Sequence, residues 1–210
     1  MRNKNQINPY DICTWRPKSD CDNCKLKGFL KCHFKIRYLL NFIGLFLLFA
    51  IPAVAGVILA GYGWFLLGWI AFGIIFFEFW EIRILCSHCP FYAEKGRSLH
   101  CFGNYLSLKV WRFHPEPMNR SEKIQLFVGF FIFFGYPFIF MVLGRQYLFI
   151  IVCLISLIIF FGLLVGRRCP KCVNFSCPLN RVPKKVVDDF LKRNPVMRKA
   201  WEEEGYVITS

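Results

Sequence analysis

Four long apolar runs, separated by polar stretches rich in Lys, Arg and Cys, set the layout of this 210-residue chain. They extend from about Tyr38 to Ala60, Trp64 to Leu85, Ile124 to Leu143 and Tyr147 to Val165. Each approaches the about 20 residues that a helix needs to cross the hydrocarbon core of a bilayer. The links at Gly61 to Gly63 and Gly144 to Gln146 leave room only for tight turns, so the helices are expected to pair as two antiparallel hairpins. Tyr62, Trp64 and Tyr147 fall at the turn ends, where amphipathic rings favour the headgroup zone. Pro52 and Pro137, with Gly44, Gly56, Gly129 and Gly135, read as ordinary membrane-helix composition.

The pattern predicts an all-α integral membrane protein with five parts. A Cys-rich N-terminal segment (1–37) precedes a first transmembrane hairpin (38–85), a Cys/His loop (86–123), a second hairpin (124–166) and a Cys-rich tail (167–210). In the tail, Val186, Val187, Phe190 and Leu191 recur at helical spacing; Asn194-Pro195 then ends that helix and starts another, which holds Trp201 and stops near Gly205. Leu106, Leu108, Val110 and Trp111 suggest a further interfacial patch in the loop. The polar opening 37 residues show no cleavable signal core.

Charge then assigns a side. Of 27 Lys and Arg residues, 26 lie in 1–37, 83–123 and 167–199; Arg145 alone lies elsewhere. The positive-inside bias puts both termini and the long loop in the cytoplasm, and the expected location is the cell (inner) membrane. The net charge of +14 accompanies 56% hydrophobic residues and 25 Phe, so an anionic lipid surface explains it better than nucleic acid, which is not expected as a partner.

Those same segments hold ten of the eleven cysteines. The cytosol keeps thiols reduced, so short Cys-x2-Cys spacings there read first as metal ligands or redox groups. The N-terminal set is Cys13, Cys21, Cys24 and Cys32, with seven residues between Cys13 and Cys21 and seven between Cys24 and Cys32. Four thiolates complete a tetrahedral zinc site or hold a cubane cluster. The loop carries Cys86-Ser87-His88-Cys89-Pro90 and His100-Cys101; the tail carries Cys169-Pro170-Lys171-Cys172 and Cys177-Pro178. Both of these pairs directly follow a membrane helix, near the headgroup plane. One division gives sites of four, three and three thiols, with His88, His100, water or a substrate as the fourth ligand of the last two; the other joins Cys86, Cys89, Cys169 and Cys172 in one two-knuckle site and leaves Cys101 and Cys177 free. Each extramembrane piece is too short to bury a core alone, a need that metal cross-linking answers. Iron–sulfur clusters and Zn2+ both suit these thiolates. Cys153, inside the fourth run, reads as an apolar filler.

Glu78 and Glu81, three residues apart near the end of the second run, share a helix face and are candidates, with His88, for proton handling. Neutralisation by Arg83 is the structural alternative. No phosphate-binding glycine loop, Ser nucleophile motif or paired-His protease motif occurs, so hydrolase and kinase chemistry have no support. The expected function is iron–sulfur electron transfer between a soluble cytoplasmic redox protein and a membrane carrier such as a quinone, as in a membrane oxidoreductase subunit. The alternatives are a zinc-stabilised scaffold or small membrane enzyme, and a soft-metal carrier.

Overall fold

The computed structural model describes residues 8, 10–16, 21–22, 24–101 and 103–209. Asp20, just before the first Cys-x2-Cys pair, and Asn23, within it, lie outside them. The chain is mostly helical, and four helices are long and apolar enough to cross a membrane: α1 (Ile36–Leu59), α2 (Phe65–His88), α3 (Arg120–Leu143) and α4 (Tyr147–Lys171). Much of their apolar surface faces outward, with Leu40, Ile51, Leu67, Phe131, Leu148 and Ile158 exposed. That inversion of the usual globular pattern suits helices solvated by lipid.

Two helix starts lie earlier than the apolar runs suggest. At α3 the reason is a capping box: the Asn119 side chain accepts from the Glu122 N–H at 2.9 Å, and the Glu122 carboxylate accepts from the Asn119 N–H at 2.9 Å. α1 begins at Ile36 after an extended Lys35, without a side-chain cap.

Both α2 and α4 change pitch before they end. α2 is α-helical over Phe65–Ile75, widens to a π turn over Phe76–Trp80, returns to α over Glu81–Ile84 and finishes as a 3₁₀ turn at Cys86–His88. α4 runs as α over Tyr147–Leu163, as π over Leu164–Arg168 and as 3₁₀ at Cys169–Lys171. Each therefore continues past the end of its apolar run and into its Cys-x2-Cys pair.

Within the bundle α1 packs chiefly on α4, while α3 touches the other three. The core is aromatic, built on Phe49, Trp69, Phe133 and Phe140 with Met141 and Cys153. Trp69 stacks on Phe133 at 5.1 Å between centroids, and its indole N–H donates to the Phe133 carbonyl at 2.8 Å, so one residue provides both packing and a polar tie between α2 and α3. Gly129 lies under the ring of Phe76, where a Cβ would collide with it.

The N-terminal segment, the loop and the tail share one apolar core. Ile12, Leu26 and Leu30 pack with Phe91, Leu99 and Phe113 of the loop and with Val173, Phe190, Leu191 and Trp201 of the tail. None of these pieces could exclude water alone; pooled, they bury a common core. Within the loop, β1 (Ser98–His100) pairs antiparallel with β2 (Tyr105–Leu108), a ribbon that the helix-based expectation did not include. Leu106, Leu108, Val110 and Trp111 are exposed on and beside it.

The tail ends in α5 (Lys184–Lys192) and α6 (Pro195–Glu203), with buried Asn194 between them. Pro at the first position of α6 forfeits no helix hydrogen bond, because that N–H has no intrahelical acceptor. Gly205 takes φ of +83°, a conformation that side-chain-bearing residues resist, and closes α6.

Candidate metal centres and an adjoining cavity

The sulfurs are presented by turns. The Cys89 N–H donates to the Cys86 carbonyl at 2.9 Å, Cys172 to Cys169 at 3.3 Å and Cys24 to Cys21 at 3.2 Å, so each Cys-x2-Cys pair closes a single turn. Backbone amides also reach sulfur: Phe91 to Cys89, Asn174 to Cys172, and Leu179 with Asn180 to Cys177. The prolines explain part of this pattern. Pro90 and Pro178 lack an N–H, so the first amide that can turn back on the preceding cysteine is two residues on. Hydrogen bonds of this kind favour the thiolate, the form that binds metal.

Burial acts the other way. It pushes the Cys89 and Cys172 thiols well up and Cys177 to about 11, with neighbouring thiolates adding to the rise. In the N-terminal set it raises Cys13 and takes Cys32 to about 12. Such sulfurs remain protonated at neutral pH until a cation replaces the proton.

Cys86, Cys89, Cys101, Cys169, Cys172 and Cys177 all line one cavity of about 380 Å³. The loop and tail sets therefore face each other. The same cavity is lined by Glu78, Glu81, Asn104 and Asn174, and it continues among rings contributed by all four helices, including Phe46, Phe77, Phe134 and Phe160. As the side chains stand, no three of the described His, Cys, Asp and Glu residues converge closely enough to share one ion. Ligation at a Zn–S distance of about 2.3 Å therefore requires these side chains to come closer together.

The four N-terminal cysteines form a second neighbourhood, in which the Cys32 thiol senses charge on Cys13, Cys24 and Cys21. Asn194 fastens it to the tail. The Asn194 amide oxygen accepts from the Cys13 N–H at 2.6 Å, and its nitrogen donates to the Cys13 sulfur at 3.3 Å and to the Phe190 carbonyl at 2.7 Å. The Lys31 N–H donates to the Lys171 carbonyl at 2.8 Å, a second tie to the end of α4. His33 Nε2 lies 3.5 Å from the Cys21 sulfur.

The remaining candidates divide. Glu81 is buried beside the cavity, where the Asn104 amide nitrogen bridges its carboxylate at 2.5 Å and the Cys86 sulfur at 3.2 Å. Arg83 instead lies over the Trp111 ring, 5.4 Å from its centroid. His88 is buried but does not line the cavity. Its Nδ1–H donates to the Glu116 carbonyl at 2.6 Å, and its Nε2 stands 3.4 Å from Glu122 without an aligned hydrogen bond. His88 thus pins the loop to the start of α3. His100 is outside the cavity lining as well, and its Nδ1–H donates to Glu94 at 2.9 Å. A carboxylate in that position fixes the ring and its tautomer, leaving Nε2 as the lone-pair nitrogen.

Sequence reading missed the three asparagines, Asn104, Asn174 and Asn194, because an amide has no spacing signature and acquires its role only from the fold. His33 carried a usable signal in its adjacency to Cys32. No protein-family model matches this chain, and no curated protein or solved structure matches it.

Proposed function

We propose that this chain is a membrane-embedded, cysteine-ligated metalloprotein that passes electrons between a soluble cytoplasmic redox protein and a membrane-dissolved carrier of the quinone class, with iron–sulfur clusters as its centres. The single observation that carries this reading is the cavity, in which six thiols from loop and tail meet an aromatic space continuous with the bundle interior. Cys13, Cys21, Cys24 and Cys32 hold one centre; Cys86, Cys89, Cys101, Cys169, Cys172 and Cys177 hold one or two more, with His100 available at the edge. Bound clusters supply one-electron steps at the boundary of the hydrocarbon. Glu78 and Glu81, at the cavity wall, serve proton exchange, and His88 contributes by holding the loop. The helices form two hairpins in the inner membrane, with both termini and all the clustered thiols cytoplasmic, a topology that the Lys and Arg distribution favours.

Purification without oxygen, followed by iron, sulfide and zinc analysis and an absorption spectrum, tests this. Stoichiometric iron and sulfide with visible absorption is the expected result. A colourless protein that holds zinc tightly overturns it and supports a zinc-stapled scaffold, a reading favoured by the tight turn of each Cys-x2-Cys pair.

A further inference from the structure

A separate groove of about 420 Å³ opens between the start of α1 and the end of α4, and it shares no lining residue with the cavity of the six thiols. Asn41 and Gly44 of α1 line it together with Leu163, Arg167 and Arg168 of α4. Gly44 leaves it open, since a Cβ there would meet nothing within 4 Å. Asn41 and Arg167 are exposed, and neither side chain has a hydrogen-bond or ion-pair partner among the described residues. Arg168 is buried, and its Nη1–H donates to the Tyr38 carbonyl at 3.0 Å, which ties the two helices together at the head of the groove. The Lys31 ammonium stands over the Tyr38 ring, 4.6 Å from its centroid, and burial, followed by the charge on Arg168, holds it below its ordinary value. The Lys and Arg ion pairs among the described residues all lie elsewhere, at Arg16, Lys27, Lys184, Arg198 and Lys199. Three cations thus gather around Tyr38 with no carboxylate to balance them.

A guanidinium withdrawn from water without a counter-charge is costly, and so is an amide left unpaired at the edge of hydrocarbon. A phosphate oxygen answers both, because it accepts from the planar guanidinium fork and from an amide N–H alike. Leu40, Leu45 and Leu163 continue the lining with apolar surface, which suits acyl chains rather than a water-soluble ion. The ammonium of a zwitterionic headgroup would bring one more cation to a place that already has three, so the fit is to a headgroup of net negative charge. We infer that this groove is a binding site for an anionic glycerophospholipid, whose phosphate diester accepts from the Arg167 guanidinium and the Asn41 amide beside Arg168, with its acyl chains along Leu40, Leu45 and Leu163. The inference needs the helices to lie in a bilayer and is independent of what the thiols bind.

The test is native mass spectrometry of the full-length protein, released from detergent micelles that hold equal amounts of dioleoyl phosphatidylglycerol and dioleoyl phosphatidylcholine. The wild-type protein is expected to retain one phosphatidylglycerol with a preference of about tenfold, the equivalent of one charge-assisted hydrogen bond. Arg167→Gln removes that preference and spares Arg168, which also holds Tyr38. Arg120→Gln deletes a charge from the exposed start of α3 and leaves the preference unchanged, which separates a site from general attraction to a basic surface. Gly44→Leu fills the groove with every charge in place and abolishes the retained lipid; the open space above Gly44 accepts the side chain, so this variant serves if Arg167→Gln does not fold. Inorganic phosphate in excess separates the two sources of the oxyanion: a lipid site keeps its phosphatidylglycerol, because the free ion gains nothing from the leucines. Equal retention of the two lipids by the wild-type protein, a preference that survives in folded Arg167→Gln or Gly44→Leu, or equal losses in Arg167→Gln and Arg120→Gln overturns the assignment. Displacement of the lipid by inorganic phosphate overturns it as well and makes the groove a site for a soluble ion.

Discussion

Asn194 and Cys13, 181 positions apart, hold each other at both ends of one amide: oxygen to the Cys13 N–H at 2.6 Å, nitrogen to the Cys13 sulfur at 3.3 Å. Asn194→Leu leaves a buried N–H and a sulfur without their partners, at a cost of about 1–3 kcal/mol. The expected outcome is faster limited proteolysis within the N-terminal segment. Metal bound by Cys13, Cys21, Cys24 and Cys32 is lost with it, while metal at the loop and tail thiols is retained.

Asp188 locks the end of the chain. Its carboxylate accepts from the Tyr206 hydroxyl at 2.8 Å, the Thr209 N–H at 3.1 Å, Lys184 at 2.9 Å and the Thr209 hydroxyl. Burial alone would raise this carboxyl, but the hydrogen bonds from Thr209, Lys184 and Tyr206 outweigh it and hold the group well below its ordinary value of 3.8. A depressed carboxyl contributes stability that is fully present above the unfolded value and is lost as pH falls below it toward the folded value. Hydrogen exchange at 205–209, corrected for the intrinsic pH dependence, is expected to accelerate below about pH 4 in the wild-type protein. Asp188→Asn should exchange quickly already at neutral pH, with little further change on acidification.

The contact of Gly129 with the Phe76 ring sets how closely α3 approaches the π turn of α2. Gly129→Ala forces the ring aside and is expected to destabilise the bundle by about 1–3 kcal/mol, read as a lower melting temperature in detergent. Phe76→Leu in the same chain should restore much of the loss. A melting temperature unchanged by Gly129→Ala would show that the helices separate freely at this point.

His88 sits between two cysteines, yet its hydrogen bond runs to the Glu116 carbonyl, and its other ring nitrogen stands 3.4 Å from Glu122. His88→Ala is therefore expected to loosen the loop, with greater protease sensitivity near Pro115 and Pro117, while iron and zinc content stay within the wild-type range. Loss of bound metal in a stably folded His88 variant would instead make it a ligand.

Metal bound as proposed would displace protons from the buried thiols, so occupancy should fall as pH is lowered. Metal retention after dialysis across pH 5 to 8 measures this. Cys172→Ser should deplete the cavity centre, and Cys24→Ser the N-terminal one, each without the other.

The spans were legible because length and apolar content alone decide whether a helix can cross a bilayer, and the tail helices because Val186, Phe190 and Asn194-Pro195 mark their period and boundary. Placement of the thiols was less legible. Nothing local says that Cys101 and Cys177 line the same cavity as Cys86 and Cys169, since that proximity arises from a core pooled among three distant segments. His88 is a further case: its place between two cysteines suggested ligation, and the fold also sets it 3.4 Å from Glu122 of α3, a proximity with no local sign. The ribbon of Ser98–His100 and Tyr105–Leu108 was hidden because strands of three and four residues are too short for their alternation to stand out.

Each of the helices that ends in a cysteine pair makes one wide turn first, Phe76–Trp80 in α2 and Leu164–Arg168 in α4. Because one residue advances an α-helix by about 100°, slack introduced there rotates everything downstream relative to the lipid-facing stripe upstream. The two halves of each helix are thus phased independently, the outer half for hydrocarbon and the terminal half for its opposite number across the cavity. Removing a single residue from either wide turn would leave a perfectly good membrane anchor whose sulfurs look the wrong way.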